Sequence, residues 1–279
     1  MGAMNTIRRL GSLPGVRKVA LHPPVRKALA TTLMLRYIPA AWETTTPRAF
    51  LRREYLDRGN VAAYTLKDGG SRLWLQHGRD FEALYELIHR GEYEPPEPLR
   101  ARLDRPALRV LDIGANIGVF SAWILQKWPD AQITAFEPEP ENADLYRRWA
   151  ASAPQSPAFV EAAVVTSEST VHMREGLGSG SFLTADEQGS AVRGVDAFDY
   201  LPDADFVKID IEGGEWAILG DPRMRDLREL TLVMEYHRHM SPSQPPRDAA
   251  ERLLRDAGFT TGFVTQNYWG HGTLWAWKD

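Results

Sequence analysis

From about residue 105 onward, short apolar runs alternate with segments of helical spacing: ALRVLDI, GVFSAWILQKW, AQITAFEP, ENADLYRRWAA and AFVEAAVV. Runs this short, apolar on both faces and separated by helices of about three turns, predict a parallel sheet covered by helices on both sides. Further strands are predicted at ADFVKIDI, LTLVMEY and FTTGFVTQ, with a helix at PRDAAERLLRDAG between the last two. The closing TLWAWK also alternates, and no helix separates it from the strand before it, so it is expected to run antiparallel to its neighbour.

Upstream the pattern differs. The first third reads as helical, and VAAYTLKDGGSRLWLQ then places two alternating runs around Asp68-Gly69-Gly70, a hairpin signal. DFEALYELIHRG follows as a short helix with Asp80 as N-cap and Gly91 as its stop, and EYEPPEPLR reads as a linker. The expected organisation is a helical and hairpin cap over residues 1–95 and an α/β domain over 96–279. Residues 166–195 are polar and glycine-rich with short strand signals, the pattern of a mobile loop or hairpin near the open end of the sheet.

Composition narrows the classes. A chain of 279 residues, 43% hydrophobic and 25% charged, is globular rather than disordered or fibrous. The absence of cysteine excludes disulfides, thiolate metal sites and a cysteine nucleophile, and suits a reducing cytosol. ALATTLMLRY, the most apolar candidate for a transmembrane segment, is far short of the roughly 18 to 20 residues a span needs. RRLGSLPG has twin arginines but no apolar core after it, so a cytoplasmic protein is expected. The net charge of -4 is uneven: residues 1–60 carry eleven Lys or Arg against three acids, +8, leaving -12 for the rest. A basic arm can meet phosphates or an anionic membrane, or pack as a helix on an acidic domain. No nucleic-acid partner is expected, because no RNA-recognition signature or zinc-knuckle spacing accompanies the arm.

The first strand of the α/β region ends in VLDIGANIG, residues 110–118. Gly114 permits a tight turn, Gly118 a close contact as the helix starts, and the helix N-terminus presents free amides. A dinucleotide site wants a second glycine two residues after the first, to admit a pyrophosphate, yet Asn116 stands there. Asp112 at the strand end repels a pyrophosphate but suits a ligand bearing an ammonium and a sulfonium. The second strand ends in TAFEPEPEN, with Glu137 nineteen residues after Gly118, where an acid accepts hydrogen bonds from both hydroxyls of a ribose.

Together, VLDIGANIGVFS, FEPEPEN and VKIDIEGGEWAIL resemble the FkbM-type methyltransferases, a branch of the class I S-adenosylmethionine-dependent enzymes, over roughly residues 90–265. The resemblance implies a Rossmann-like, mostly parallel seven-stranded sheet with its last strand antiparallel. It implies S-adenosylmethionine as cofactor, with Asp112, Gly114, Asn116 and Gly118 at its amino-acid moiety, Glu137 at its ribose and Ala162 by its adenine. Family members commonly methylate hydroxyls of sugars and secondary metabolites, so a small hydroxylated acceptor is expected. The arm over residues 1–60 matches no recognised pattern and inherits no role.

VKIDIEGGEW, residues 207–216, adds three carboxylates. Asp210 and Glu212 are two apart, so a continuing strand puts both on one face at the carboxyl edge, bordering the cofactor. Three roles are open to Asp210: general base, orienting group for the acceptor hydroxyl, or metal ligand. Glu212 is expected to brace the Gly213-Gly214 turn with access to the site, and Glu215 to complement the next helix's dipole. His237, in EYHRHM beyond the next strand, is a second candidate base. Catechol-type methyltransferases bind Mg²⁺ through acids at these two strand ends, which makes Asp210 and Glu235 an alternative metal pair. Tyr236, after Glu235, is not a third ligand, a place that Glu212 can take instead. His271, between glycines, reads as a turn residue, and Trp269 as a candidate for the acceptor pocket. O-methyl transfer is the leading reading. N-methyl transfer with the same cofactor, a nicotinamide-dependent oxidoreductase and a non-catalytic cofactor-binding scaffold remain the alternatives.

Overall fold

The computed structural model describes residues 37–174, 182–184, 189–267 and 270–279; most of the basic arm and Trp269 lie outside them. Residues 37–42 are helical and lead into α1 (Pro47–Leu56), β1 (Val61–Thr65) and β2 (Arg72–Gln76). The two strands pair antiparallel around the Asp68-Gly69-Gly70 turn, as the alternation predicts. The next helix starts as α2 (Phe81–Ala83) and widens into a π-helix over Leu84–His89. Asp80 does not cap it: its carboxylate accepts from the Gln76 amide at 2.7 Å and from Arg79 Nε at 2.7 Å, so it holds the preceding turn instead. Helix α3 (Glu97–Leu103) then enters the α/β region.

There the elements run β3 (Arg109–Ile113), α4 (Val119–Lys127), β4 (Gln132–Phe136), α5 (Pro140–Ala150) and β5 (Ala158–Val160). After an intervening sheet come β10 (Phe206–Ile209), α6 (Glu215–Gly220), β11 (Thr231–Tyr236), α7 (Pro246–Asp256), β12 (Thr260–Gly262) and β13 (Gly272–Trp277). The seven strands order as β12-β13-β11-β10-β3-β4-β5, with β13 antiparallel to both neighbours. AFVEAAVV is not one strand: it breaks at Glu161-Ala162 into β5 and β6 (Ala163–Val165), and β6 leaves for a second sheet. That sheet, β6-β9-β7-β8, adds β7 (Ser169–Arg174), β8 (Phe182–Thr184) and β9 (Ser190–Asp196). The described residues of the polar segment 166–195 are therefore mostly strand, with β7 antiparallel to both β8 and β9. Most residues of β7 and β9 are exposed or half-buried, so no apolar alternation marks them.

Alternate strand residues divide the core. Val110, Ile133, Phe206 and Val233 pack with α4, α5, Leu99 of α3 and the N-terminal residues Phe50, Leu73 and Leu84 in one continuous cluster. Leu111, Ile113, Val207, Ile209 and Met234 pack on the other face with Ile218, Ala249 and Leu254. Asp112 and Lys208 share the parity of Val110 and Phe206, so both project to the cap side, directly opposite each other in the β3–β10 register. Strand order reverses between β3 and β10, and a crevice opens beyond their carboxyl ends. Among the described residues no helix is long and apolar enough to cross a membrane.

Candidate active site

The turn after β3 is built by backbone packing. Gly114 has φ +83, and a Cβ there would stand 1.9 Å from the Asp210 carbonyl oxygen, so only glycine lets the turn lie against the end of β10. Gly118 has φ +90, and a Cβ would meet the Trp149 ring at 2.9 Å. Asn116 is left-handed at φ +50, and its amide donates to Glu137 Oε2 at 2.9 Å. Glu137 Oε1 accepts the Glu139 amide at 2.9 Å. Burial pushes the Glu137 carboxyl up to about 7, against the pull of these two amides.

Of the residues singled out in the sequence, Gly114, Asn116, Glu137, Ala162, Asp210 and Glu212 line one cavity of about 660 Å³, its open mouth included. The second sheet contributes Met173 and Phe182 to the wall, from the polar segment 166–195 near the open end of the sheet, where no motif singles them out. Gly118, Asp112 and His237 lie outside the lining. Asn116 Oδ1 is buried in this region without a hydrogen-bond partner.

Asp112 lies beneath the turn, fully buried. Its Oδ2 accepts from Ser121 Oγ at 2.7 Å, and Lys208 Nζ stands 3.4 Å from its Oδ1. Lys208 also donates to the Gly114 carbonyl at 2.5 Å and lies 3.8 Å from Asp210 Oδ2. Burial disfavours the charged ammonium, but Asp112 and Asp210 outweigh it and raise its pKa. The carboxyl of Asp112 is raised by burial, with Lys208 and Ser121 opposing. Lys208 thus ties the turn to the end of β10, a role its place in VKIDI does not announce.

Strand β10 stops at Ile209, and Glu212 and Gly213 turn with φ of +51 and +108. Asp210 and Glu212 therefore share the cavity through this reversal rather than through continued pleat. The brace of the turn is Glu215, not Glu212. Buried completely, its carboxylate accepts the Gly213 amide at 2.7 Å, the His237 amide at 2.9 Å and His237 Nδ1 at 3.1 Å. The reversal aims the Gly213 N–H back at the first turn of α6, where Glu215 stands.

His237 Nε2 faces Glu212 Oε2 at 3.5 Å, Glu235 Oε1 at 3.8 Å and Asp210 Oδ1 at 3.9 Å. Burial opposes a charged ring, yet the Glu215 hydrogen bond and the charges of Glu215, Glu235 and Glu212 overcome it and hold His237 up at about 10. His237 lies behind the cavity wall and reaches the site only through the carboxylates at its Nε2 edge. Burial pushes Glu212 up to about 7, with His237 pulling against it, and drives Glu235 well above the carboxylate range. From the cap, Tyr93 donates to Asp210 Oδ2 at 3.4 Å. His239 stands apart, its ring against Phe182 at 4.9 Å and its carbonyl accepting from Trp216 Nε1.

A glycine turn and a buried acid at the carboxyl edge of a doubly covered parallel sheet define an α/β enzyme with a nucleoside-type ligand site. The methyltransferase FkbM domain matches residues 112–261, more than half of the chain. The chain belongs to this methyltransferase family. A curated relative, methyltransferase sdnD of Sordaria araneosa, is 49% identical over 39 residues, which are 14% of this chain and 15% of that protein. Among solved structures, the magnesium protoporphyrin IX methyltransferase of Synechocystis PCC 6803 with bound SAM aligns over 88% of this chain and 97% of its own, at 14% identity and TM-score 0.47. The precorrin-6y C5,15-methyltransferase of Geobacter metallireducens GS-15 aligns over 64% and 85%, at 20% identity and TM-score 0.40.

Proposed function

We propose that this chain is a cytoplasmic methyltransferase that moves the methyl group of S-adenosylmethionine to a hydroxyl oxygen of a small molecule such as a sugar or secondary metabolite. The observation that carries the proposal is the joining, in one cavity, of the Gly114 to Asn116 turn and Glu137 with the carboxylates of Asp210 and Glu212. The cavity fits the cofactor. Asn116 Oδ1 is a buried acceptor awaiting a donor, which the ammonium of an amino-acid moiety provides. Glu137 keeps acceptor capacity for ribose hydroxyls beyond its two backbone amides, and Ala162 offers a small apolar wall to a base. When bound, S-adenosylmethionine supplies an electrophilic methyl on a positively charged sulfur. Asp210 orients the acceptor hydroxyl and takes its proton, Tyr93 fixes the Asp210 carboxylate from the cap, and Glu212 stands beside it on the cavity wall. Asp112 and Gly118 act from beneath, by holding the turn that presents Asn116. His237 acts from behind the two carboxylates.

Asp210→Asn keeps the shape of the side chain and removes its charge. Turnover is expected to fall at least about tenfold, a barrier change of about 1.4 kcal/mol, with S-adenosylhomocysteine affinity little changed. Full activity of this variant would reduce Asp210 to architecture. Glu137→Ala is expected to weaken S-adenosylhomocysteine binding in calorimetry by about 1–3 kcal/mol. Hydroxyl donors favour the carboxylate over the acid, so bound ligand lowers the pKa that burial has raised to about 7. Wild-type affinity should therefore climb with pH, by up to about tenfold per pH unit, and level off above neutrality. A flat profile, or one that falls over this range, would remove Glu137 from the ribose.

A further inference from the structure

Beside the cavity, Glu235, His237 and His271 bring one ligand atom each to within 4.8 Å of one another. They come from the end of β11 and from the turn before β13, neighbouring antiparallel strands, so sheet pairing rather than a flexible loop sets their spacing. His237 is prepared as a metal-binding imidazole is. Glu215 engages Nδ1 at 3.1 Å and is itself locked by two backbone amides, which turns Nε2 toward the cluster. The His237 ring is held edge to face against His271, centroids 5.3 Å apart. The His271 backbone is pinned as well: its amide donates to Asn267 Oδ1 at 3.1 Å, and its carbonyl accepts the Asn267 amide at 2.7 Å. At the adjacent Gly272 a Cβ would stand 2.0 Å from the Thr265 carbonyl oxygen, so the turn has little room to shift.

We propose that Glu235, His237 and His271 form a site for one divalent first-row transition ion of the zinc type. The donor set of two imidazoles and one carboxylate is the kind that such ions take, while Mg²⁺ prefers oxygens throughout. Asp210 and Glu212, which face His237 Nε2 from the cavity side, are oxygen donors from which a further ligand can be drawn as the ion closes its shell. The ion stands at the acceptor side of the cavity, and its binding does not depend on the proposed reaction.

The test uses the untagged full chain, stripped with EDTA and dialysed, without cofactor. Calorimetry with Zn²⁺ should show one site per chain, and His271→Ala should weaken it at least about tenfold, each tenfold being about 1.4 kcal/mol. His271→Ala lies outside the cavity lining, and its circular dichroism should match wild type. Co²⁺ added to the wild type should give visible ligand-field absorption of a nitrogen-containing site, lost in His271→Ala. Mg²⁺ should compete only weakly for the Zn²⁺ site. Equal Zn²⁺ affinity in wild type and variant, displacement of Zn²⁺ by equimolar Mg²⁺, or no binding at all would each overturn the proposal. The Co²⁺ spectrum of the wild type decides the case even if His271→Ala fails to fold.

Discussion

Lys208→Met should lower the unfolding free energy by about 3–5 kcal/mol, the cost of leaving a buried charge without its partner. Methionine fills a similar volume, so packing is nearly preserved and the loss falls on electrostatics. Lys208 is 3% exposed and Asp112 is fully buried. Without the ammonium, Asp112 retains one hydrogen bond from Ser121, and the Gly114 carbonyl loses its donor. Because that carbonyl belongs to the cofactor turn, S-adenosylhomocysteine affinity should fall with stability. Denaturant titration checks the energy, and Asp112→Asn in the Lys208→Met background checks the cause. The second change should recover part of the loss, since it removes the charge that the first stranded. A stable Lys208→Met chain would mean that the ion pair does not hold the turn.

The second large effect is at Glu215. A surface acid in the first turn of a helix contributes a few tenths to about 1 kcal/mol through the dipole. Glu215 is 0% exposed and accepts three hydrogen bonds, two from amides of separate segments and one from an imidazole. Glu215→Ala should therefore cost about 3–5 kcal/mol, because two buried amides and His237 Nδ1 lose the carboxylate to which they donate. Glu215→Gln, which keeps an acceptor oxygen, should cost less, about 1–3 kcal/mol. A loss under about 1 kcal/mol for Glu215→Ala would return this residue to a dipole role.

Much of this architecture is legible in the chain because it is local. Val110 to Ile113, Phe206 to Ile209 and Thr231 to Met234 are apolar runs with few exceptions, so the central strands declare themselves. Gly114 and Gly118 mark a turn for which the structure supplies the reason, two left-handed residues pressed against neighbouring atoms. What stays hidden is pairing across long distances. Lys208 in VKIDI reads as a polar interruption, and only the register with Asp112, 96 positions earlier, turns it into a buried ion pair. Glu215 in GGEW has the local signature of a helix start, while His237, its partner, lies 22 residues on. His271 reads as a turn residue until β13 folds back along β11 and sets it beside Glu235 and His237. The second sheet escapes notice for a different reason: most of its strand residues are exposed or half-buried, and the chain changes sheet at Glu161-Ala162 without a glycine or proline to announce it.

Following the methyl group tests transfer to a hydroxyl oxygen most directly. The enzyme is incubated with S-adenosylmethionine labelled with ¹³C at the methyl and with fractionated small-molecule extract, and products are read by mass spectrometry and carbon NMR. The expected result is label on an ether oxygen, one S-adenosylhomocysteine formed per methyl transferred, and at least about a tenfold slower transfer by Asp210→Asn. Label on nitrogen, or transfer by Asp210→Asn at the wild-type rate, would contradict it.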